Sequence, residues 1–491
     1  MRHSLQHYID GRWVDPVDPK LFEVINPATE EPVGQINLGT VADVNLAVSA
    51  ARRAFDSFSR TSRQERVELL ELLIEEYRKR RADLALAISD EMGAPYALSE
   101  KLHAVIGQIH LRTAQNVLKD FSFEELRGAT QIVREPIGVC GLITPWNWPI
   151  NQIAAKVAPA IACGCTIVLK PSELSPFSAQ IWTEVFDSAG VPAGVFNMVH
   201  GDGPGVGAAI SAHPGIDMVS FTGSTRAGIE VARAAASTIK RVHQELGGKS
   251  ANIILPDADF PAAVAAGWRA VTINSGQSCN APTRMLVPRE RMQETADILR
   301  KATELLTVGN PADSPDVGPV ASRNQFDKIQ GLIQRGIDDG AELAAGGPGR
   351  PANIAKGFFV KPTVFTNVNN DMAIAREEIF GPVLCVIPYD SIEQAVSIAN
   401  DSDYGLAGYI QGKDQAAIAQ VASRLRVGQV IVNNAHPDAM APFGGYKQSG
   451  NGREWGDHAF EAYLEVKAVL GGEPAPAAET AEANATPLVP A

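Results

Sequence analysis

Strand-like and helix-like segments alternate along residues 138–246, and this alternation constrains the fold more than any other feature of the chain. The strand-like segments span 138–144, 166–169, 196–200, 218–222 and 241–246, with helices near 150–162, 177–189, 204–212 and 225–236 between them. Strands separated by helices of about 10–13 residues predict a parallel, doubly wound α/β sheet. Such sheets bind ligands beyond the carboxyl ends of their strands, so the loops after the strands are the candidate site.

A second region of alternating strands and helices starts at Ala251. Its strand-like segments span 251–256, 285–287, 357–364, 383–387 and 429–433, with helices near 260–274, 289–305, 322–338, 391–399 and 414–426. We therefore expect a second α/β domain. The length of 491 residues agrees with this expectation, because it suffices for about three domains or two large ones.

The remaining segments read as short strands, helices and a tail. Residues 8–40 predict short strands and turns, and helices are expected over 43–55, from the capping box that opens at Ser62, and over about 98–118. Residues 130–139 and 462–470 are extended in character. Residues 472–491 are rich in proline, alanine and glutamate, and we predict that they are disordered because they have little to bury.

Composition excludes several classes of protein. The net charge is −13, with both signs interspersed, which argues against a nucleic-acid or anionic-membrane surface. No segment resembles a signal peptide and no run of 18 apolar residues occurs, so we expect no contact with a membrane. The odd number of cysteines, 5 in all, suggests no disulfide framework and favours a reducing, cytoplasmic location. Cys163 and Cys165 are interpreted as small core residues, and no metal site is expected.

The segment 274–284, NSGQSCNAPTR, presents one thiol, Cys279, among small and polar residues. Core packing seldom calls for such a run, whereas a turn that exposes a nucleophile to a cleft does. A reactive thiolate needs partial exposure and polar or electropositive surroundings. The nearest histidines in sequence are His243 and His436, so any groups that assist Cys279 must come from other parts of the chain.

Two loops at strand ends carry candidate catalytic groups. In TPWNWP, two tryptophans and two prolines surround Asn147, whose side-chain amide could stabilise an oxyanion; the alternative is a rigid aromatic corner. In QELGGKS, Glu245 ends a strand before a glycine pair and could act as a movable general base. The alternative for Glu245 is an exposed surface glutamate.

Three further loops suggest a dinucleotide. Gly203–Ala208 matches G-x-G-x-x-A, a weak signal because it follows the third strand of its region rather than the first. Ser224 and Thr225 begin a helix after Gly223 and could bind an anion, or simply cap that helix. Lys170 and Glu173 could hold the hydroxyls of a ribose, which would favour NAD over NADP, or could form a solvated pair.

Together and in this order, these segments resemble the NAD(P)-dependent aldehyde dehydrogenase superfamily. The resemblance rests on PWNWP, KPSE, FTGST, ELGGKS, GQSCNAPTR, EEIFGPV and PFGGYKQSGNGRE, and it runs from YIDGRW to LEVKAVL. It implies a Rossmann-like NAD-binding domain (1–117 and 137–247), an α/β catalytic domain (248–450) and an oligomerisation β-flap (118–136 and 460–471). It also implies a homodimer or homotetramer.

The resemblance implies a role for each matched residue. Cys279 is the nucleophile that forms a thiohemiacetal and then an acyl thioester, and Asn147 with the Cys279 N–H is the oxyanion hole. Glu245 activates the water that hydrolyses the thioester, while Glu454, with Lys156, serves in proton relay. The implied cofactor-binding residues are Trp146, Lys170, Ser172, Glu173, Gly203, Phe221, Gly223, Ser224, Leu246, Glu378 and Phe380.

The substrate pocket is expected to include Trp148, Ser278, Asn280 and Pro437. These segments contain no arginine or lysine that would attract a carboxylate. The sequence therefore favours an apolar aliphatic or aromatic aldehyde. A semialdehyde dehydrogenase acting on a charged substrate, a catalytically silent binding member of the family, and a simple thiol esterase are the alternatives.

Overall fold

The first alternating region forms a mixed sheet at the centre of the amino-terminal half, in a computed structural model that describes residues 2–471. The predicted disordered tail, 472–491, lies outside the described residues. In spatial order the strands are Arg241–Glu245, Met218–Thr222, Val139–Ile143, Thr166–Lys170, Phe196–Met198, His7–Ile9 and Arg12–Val14. The pairs from Arg241–Glu245 to Phe196–Met198 are parallel, as predicted, and the pairs that His7–Ile9 makes are antiparallel.

The order of these strands creates a crevice at the carboxyl edge of the sheet. From Val139–Ile143 the chain moves to one side through Thr166–Lys170 and Phe196–Met198. It then returns to the other side of Val139–Ile143 with Met218–Thr222. Loops on either side of such a switch point diverge and leave room for a ligand. The loop that contains Asn147 and the turn at Gly223 are therefore adjacent at this edge.

The second alternating region forms another sheet of the same kind. Its strands, in spatial order, are Glu342–Ala345, Thr363–Thr366, Val383–Tyr389, Arg284–Pro288, Ala251–Ile254, Ala407–Gln411 and Gln429–Val432. All neighbouring pairs are parallel except Glu342–Ala345 with Thr363–Thr366. Every residue of Ala251–Ile254 and Arg284–Pro288 is buried, as expected for strands covered on both faces. The α/β fold class predicted from the sequence is confirmed.

Smaller antiparallel elements lie beside the two sheets. Leu464–Leu470 pairs with Thr130–Pro136, which also pairs with Glu124–Arg127; we call this group the flap sheet. Lys20–Asn26 pairs with Glu31–Leu38, and Tyr404–Gly405 pairs with Tyr446–Lys447. The extended character predicted for 130–139 and 462–470 is thus confirmed over Thr130–Pro136 and Leu464–Leu470, whereas Ala462 ends the short helix His458–Ala462. The domain boundaries expected from the resemblance stay a prediction.

Helices cover the faces of both sheets. The longer ones are Val41–Phe58, Arg63–Lys79, Arg81–Met92, Ala104–Asp120, Pro149–Cys163, Pro176–Ser188, Thr225–Ala235, Phe260–Thr272, Met292–Glu304, Arg323–Asp338, Ile392–Asn400 and Gln415–Arg424. The capping box at Ser62 is present, with the side chain of Ser62 accepting from the Glu65 N–H and that of Glu65 accepting from the Ser62 N–H. None of the helices within residues 2–471 is long and apolar enough to cross a membrane.

Some sequence predictions of individual elements were wrong. Residues 357–362 are not a strand: Gly357 has φ 95°, and the Phe358 N–H donates to the Pro27 carbonyl outside the sheet. The helix expected over 204–212 is a π-helical turn, Gly203–Gly207, followed by the short helix Ala208–Ala212. The strands Glu342–Ala345 and Ala407–Gln411 were not predicted. The first lacks the β-branched and aromatic residues that mark strands, and the second has only Tyr409 and Ile410 after Ala407 and Gly408.

We expect the free energy of unfolding to decrease as the pH is lowered, because His7 is buried in its neutral form. Burial, opposed by Asp43, lowers the pKa of His7 from 6.5 to about 4. As the pH is lowered, His7 therefore takes up a proton in the unfolded chain before it does so in the folded protein. The contribution of neutral His7 to the free energy of unfolding is complete above pH 6.5 and is lost as the pH falls through 4, by up to about 3 kcal/mol. His7→Asn keeps an acceptor for the His200 N–H, which donates to His7 Nδ1. The variant should show a weaker fall of the unfolding midpoint between pH 7 and 5.

His458→Asn, a change at an exposed position, is the matched control and should retain the wild-type pH dependence. Parallel curves for the wild type and His7→Asn would contradict the role given to His7.

Candidate active site

Two cavities of different character meet at Cys279. A cavity of about 270 Å³ lies at the switch point of the first sheet, and we call it the crevice cavity. Another, of about 490 Å³, lies on the other side of the thiol, and we call it the apolar cavity. Gln152 and Cys279 line both cavities. A reactive thiol at such a junction can contact one ligand from each side.

The backbone that presents Cys279 is in an unusual conformation. Asn274, Ser275 and Gly276 have φ values of 53°, 56° and 75°, all in the left-handed region. A side chain at Gly276 would overlap the Gly381 carbonyl group. The Ser275 hydroxyl donates to the Gly318 carbonyl at 2.9 Å. At the non-glycine positions Asn274 and Ser275 this conformation costs about 1–3 kcal/mol per residue and persists only where the surroundings hold it.

Hydrogen bonds fix Asn147 against the cysteine loop. Asn147 Nδ2 donates to the Gln277 carbonyl at 3.0 Å, and Asn274 Nδ2 donates to the Asn147 carbonyl at 2.7 Å. Next to Asn147, Trp148 Nε1 donates to the Ser278 hydroxyl at 2.8 Å. The two loops, 130 residues apart in sequence, are thus joined side by side.

The electrostatic surroundings favour the protonated form of Cys279. Burial raises the pKa of this half-buried thiol, and the carboxyl groups of Glu378 and Glu245 raise it further. The backbone N–H groups of Cys279 and Asn280 lower the pKa of the thiol, but by less than burial and the two carboxyl groups raise it. A proton acceptor is therefore needed before the sulfur can attack.

Glu245 is buried, at 2% exposure, so the alternative of a surface glutamate is wrong. Neither of its carboxyl oxygens has a hydrogen-bond partner within residues 2–471. Burial raises the pKa of Glu245 well above its ordinary value, and the nearby Glu454 adds to this, while Lys156 and Arg453 oppose it. A carboxylate whose pKa is raised and whose oxygens are free is a stronger base than an ordinary glutamate and is suited to accept a proton from water.

Lys156 and Glu454 form a buried ion pair. Lys156 Nζ lies 2.6 Å from Glu454 Oε1 and also donates to the Ser220 hydroxyl at 3.0 Å. The Ser220 hydroxyl lies 3.2 Å from His243 Nδ1. Burial acts to raise the pKa of Glu454, but Lys156, His243 and His110 together outweigh it, and the pKa stays below the usual value. Sequence reasoning missed Ser220 and His243, although their positions on paired strands, in register, are the signal that could have found them.

Of the predicted cofactor-binding residues, those that line the crevice cavity are Trp146, Gly223, Ser224, Leu246, Glu378 and Phe380. Trp146 and Phe380 meet edge to face, with ring centroids 5.6 Å apart. Ser224 caps the helix Thr225–Ala235, as the capping alternative predicted, by accepting from the Ala227 N–H. Lining residues that sequence reasoning missed are Pro145, Gln152, Thr222, Gly247, Gln325 and Lys328.

The other predicted cofactor-binding residues lie away from the lining of the crevice cavity. Lys170, which is buried, contacts Glu173 at 3.2 Å, so a fully solvated pair is wrong. The Ser172 hydroxyl accepts from the Leu174 N–H. Phe221 lies under Gly223, where a Cβ would come within 2.5 Å of its ring. Gly203 begins the turn Gly203–Gly207, whose last residue approaches the Lys170 side chain.

All of the predicted substrate-pocket residues, Trp148, Ser278, Asn280 and Pro437, line the apolar cavity. Sequence reasoning missed most of its remaining wall, which is largely aliphatic and aromatic: Leu102, Ile106, Ile109, Ala270, Ile273, Tyr409, Phe443 and Trp455. Many of these belong to helices with no motif, so no local signal marked them.

Comparison with known proteins identifies the class. The chain matches the aldehyde dehydrogenase family over residues 13–469 and belongs to this family. It is 56% identical to a 3-succinoylsemialdehyde-pyridine dehydrogenase of a Pseudomonas species, over 96% of this chain and 100% of the relative.

Solved structures agree with this assignment. A mutant of aldehyde dehydrogenase C from Pseudomonas syringae, in complex with NAD+ and octanal, is 52% identical with a TM-score of 0.95, covering 96% of this chain and 98% of that one. An aldehyde dehydrogenase from Bartonella henselae is 45% identical with a TM-score of 0.94, covering 96% and 100%.

We expect Lys156→Met to destabilise the protein, because it leaves the Glu454 carboxylate buried without its cation. Removing one partner of a buried ion pair costs about 3–5 kcal/mol, whereas replacing both partners can be nearly neutral. The double variant Lys156→Met/Glu454→Leu should therefore unfold at a higher temperature than Lys156→Met. Arg233→Met, which removes an exposed ion pair with Glu230, is the matched control and should leave the midpoint unchanged. A double variant no more stable than Lys156→Met would count against this account.

Proposed function

We propose that the protein oxidises an uncharged, largely apolar aldehyde to the carboxylic acid with NAD as the hydride acceptor. The observation that carries the proposal is the position of Cys279 at the junction of the crevice and apolar cavities, with Asn147 and Glu245 beside it. One cavity can hold the cofactor and the other the aldehyde, so that both reach the same sulfur.

The residues around the crevice cavity fit a dinucleotide. Gly223 and Ser224 line it at the N-terminus of Thr225–Ala235, where free backbone N–H groups favour a phosphate. The Glu378 carboxyl group accepts from the Gly248 N–H at 2.9 Å and retains oxygen lone pairs for a ribose hydroxyl. Glu173, held by Lys170, would repel a 2′-phosphate, which favours NAD over NADP. When bound, NAD supplies the hydride acceptor for the oxidation.

The chain's own groups carry the covalent steps. The Cys279 sulfur, once deprotonated, adds to the aldehyde carbon and the carbonyl oxygen becomes an oxyanion. Asn147 Nδ2 and the Cys279 N–H donate to that oxyanion. Loss of hydride converts the thiohemiacetal into an acyl thioester on Cys279. Glu245 takes a proton from water, the hydroxyl group adds to the thioester carbon, and the thiolate leaves as the carboxylic acid forms.

We infer that the pair Lys156–Glu454 passes on the proton that Glu245 accepts. The Glu454 carboxylate raises the pKa of Glu245 through charge repulsion, which supports a relay between the two carboxyl groups. Lys156 keeps Glu454 ionised and therefore able to receive a proton. We assign Glu454 and Lys156 to this relay.

The apolar cavity supports an uncharged substrate. No lysine or arginine of the described chain is among its lining residues, and burying an unpaired carboxylate there would be costly. The complex of the Pseudomonas syringae relative with octanal agrees with such a substrate. A charged semialdehyde is disfavoured for the same electrostatic reason.

We infer the domain roles, the oligomeric state and the cellular location from the resemblance to aldehyde dehydrogenases. We assign residues 1–117 and 137–247 to NAD binding, 248–450 to catalysis, and 118–136 with 460–471 to oligomerisation. The flap sheet exposes Leu126, Val466 and Leu470, which a partner subunit could cover in a homodimer or homotetramer. All of the cysteines are free thiols, which fits the reducing cytoplasm.

Cys279→Ala should abolish aldehyde-dependent formation of NADH, because no other group can form the thiohemiacetal. The measurement is the increase in absorbance of NADH with an aliphatic aldehyde. Cys385→Ala, the same change at a buried cysteine outside both cavities, is the control and should retain activity. Activity in Cys279→Ala would refute the assignment, and ester hydrolysis at equal rates with and without NAD would favour the thiol esterase.

Glu245→Gln should retain a burst of NADH in the first turnover and then turn over about 10²–10⁴-fold more slowly, since thioester hydrolysis loses its base. Because the pKa of Glu245 is raised, the fraction of its ionised form, and with it the steady-state rate of the wild type, should still increase with pH above the range in which an ordinary glutamate titrates. The Gln variant should lose this increase. Normal turnover without a burst would remove Glu245 from the role of base.

A further inference from the structure

One wall of the apolar cavity is polar. It consists of His110, from the helix Ala104–Asp120, and of Asn151 and Gln152, from the helix Pro149–Cys163, and we call it the polar wall. His110 Nε2 lies 2.8 Å from Asn151 Oδ1. Within residues 2–471, Asn151 Nδ2 and the side-chain amide of Gln152 have no hydrogen-bond partner. Aliphatic and aromatic side chains make up most of the facing walls.

The hydrogen bond between His110 and Asn151 determines which groups remain available. An amide oxygen can only accept, so the imidazole donates from Nε2–H. Burial, only partly opposed by Asn151 and Glu454, lowers the pKa of His110 and keeps the imidazole uncharged at neutral pH. Both hydrogens of Asn151 Nδ2 are therefore left for another acceptor. A hydrogen-bond donor in an apolar cavity remains unsatisfied unless a ligand or water meets it.

We propose that the polar wall makes this enzyme select aldehydes that carry an uncharged hydrogen-bond acceptor, such as a ketone oxygen or a pyridine nitrogen, on an otherwise apolar body. The inference rests on the proposed function and specifies its substrate class. Asn151 lines only the apolar cavity, whereas Gln152 also reaches the crevice cavity beside Cys279. The acceptor that meets Asn151 therefore lies away from the reacting carbon, separated from it by the body of the substrate.

An anionic acceptor does not fit the same wall. The lining residues within 2–471 include no lysine or arginine, His110 is neutral, and the other lining histidine, His436, lies at an exposed position, so a carboxylate held against Asn151 would have no buried counter-charge. Asn151 is half-buried, so a purely aliphatic or aromatic aldehyde displaces water from its Nδ2 and offers no acceptor in return. An uncharged acceptor avoids both costs.

Matched aldehydes test this inference. In 3- and 4-acetylbenzaldehyde a ketone oxygen replaces one methyl group of 3- and 4-isopropylbenzaldehyde, with nearly the same shape. For the wild type, Asn151→Leu and Asn116→Leu, kcat/KM is measured with NAD and each aldehyde. Asn116 is exposed on the same helix as His110, so Asn116→Leu is the control for the same chemical change outside the cavity.

Asn151→Leu should lower the acetyl-to-isopropyl ratio of kcat/KM by about 3- to 10-fold for at least one pair of isomers. Asn116→Leu should keep the wild-type ratio. Taking the ratio across variants cancels the different intrinsic reactivities of the aldehydes. Asn151→Ala, which removes the amide without adding apolar bulk, is read by the same criterion if Asn151→Leu does not fold.

The inference is overturned if the ratio is the same in the wild type and the Asn151 variants for both isomers. It is also overturned if the wild type uses 4-formylbenzoate more efficiently than either acetylbenzaldehyde. If the wild type forms NADH from none of these aldehydes, that result would instead count against the proposed function.

Discussion

The hydrogen bonds between the Asn147 loop and the segment before Cys279 are the contacts on which the whole site depends. One loop ends a strand of the first sheet, and the other precedes a strand of the second sheet. Asn147 Nδ2 and Asn274 Nδ2 bind across the gap in opposite directions, at 3.0 and 2.7 Å. Reciprocal bonds fix position and orientation together, so the proposed oxyanion donor and nucleophile keep one geometry. The left-handed backbone of Asn274 is the conformational cost of that arrangement.

Carboxyl groups rather than histidines dominate the electrostatics around the thiol. Glu245 and Glu378 both raise the pKa of Cys279, and burial raises the pKa of each of them in turn. Of the three glutamates Glu245, Glu378 and Glu454, only Glu454 has a pKa below its usual value, because Lys156 lies against it. The site therefore holds weak acids whose charges oppose one another, and loss of one proton makes the next loss harder. Such coupling suits a reaction in which protons must move from sulfur and from water.

Parallel topology explains which parts of this site could be predicted from the sequence. Asn147, Glu245 and the turn at Gly223 each follow a strand of one sheet, and parallel strands bring such positions to one edge. The apolar cavity could not be predicted in this way. Leu102, Ile106 and Ile109 come from the region of a long helix, where apolar residues at that spacing equally indicate ordinary packing. The strand predicted over 357–362 was wrong because apolar residues do not distinguish a strand from other buried segments. The buried apolar residues of this segment pack beside the sheet instead of joining it.

Because the two cavities are separate, the choice of aldehyde can change while the reacting groups stay in place. The crevice cavity is built from loops at strand ends, where a displaced backbone would disturb Asn147 and Cys279 as well. One side of the apolar cavity, formed by Ile106, Ile109, His110, Asn151 and Gln152, is built from side chains on helices, whose backbones are held by their own hydrogen bonds. Side chains such as Asn151 can therefore change without moving the reacting groups. Among the lining residues within 2–471, the two cavities share Gln152 and Cys279, so a change at another position on these helices leaves the shared residues unchanged.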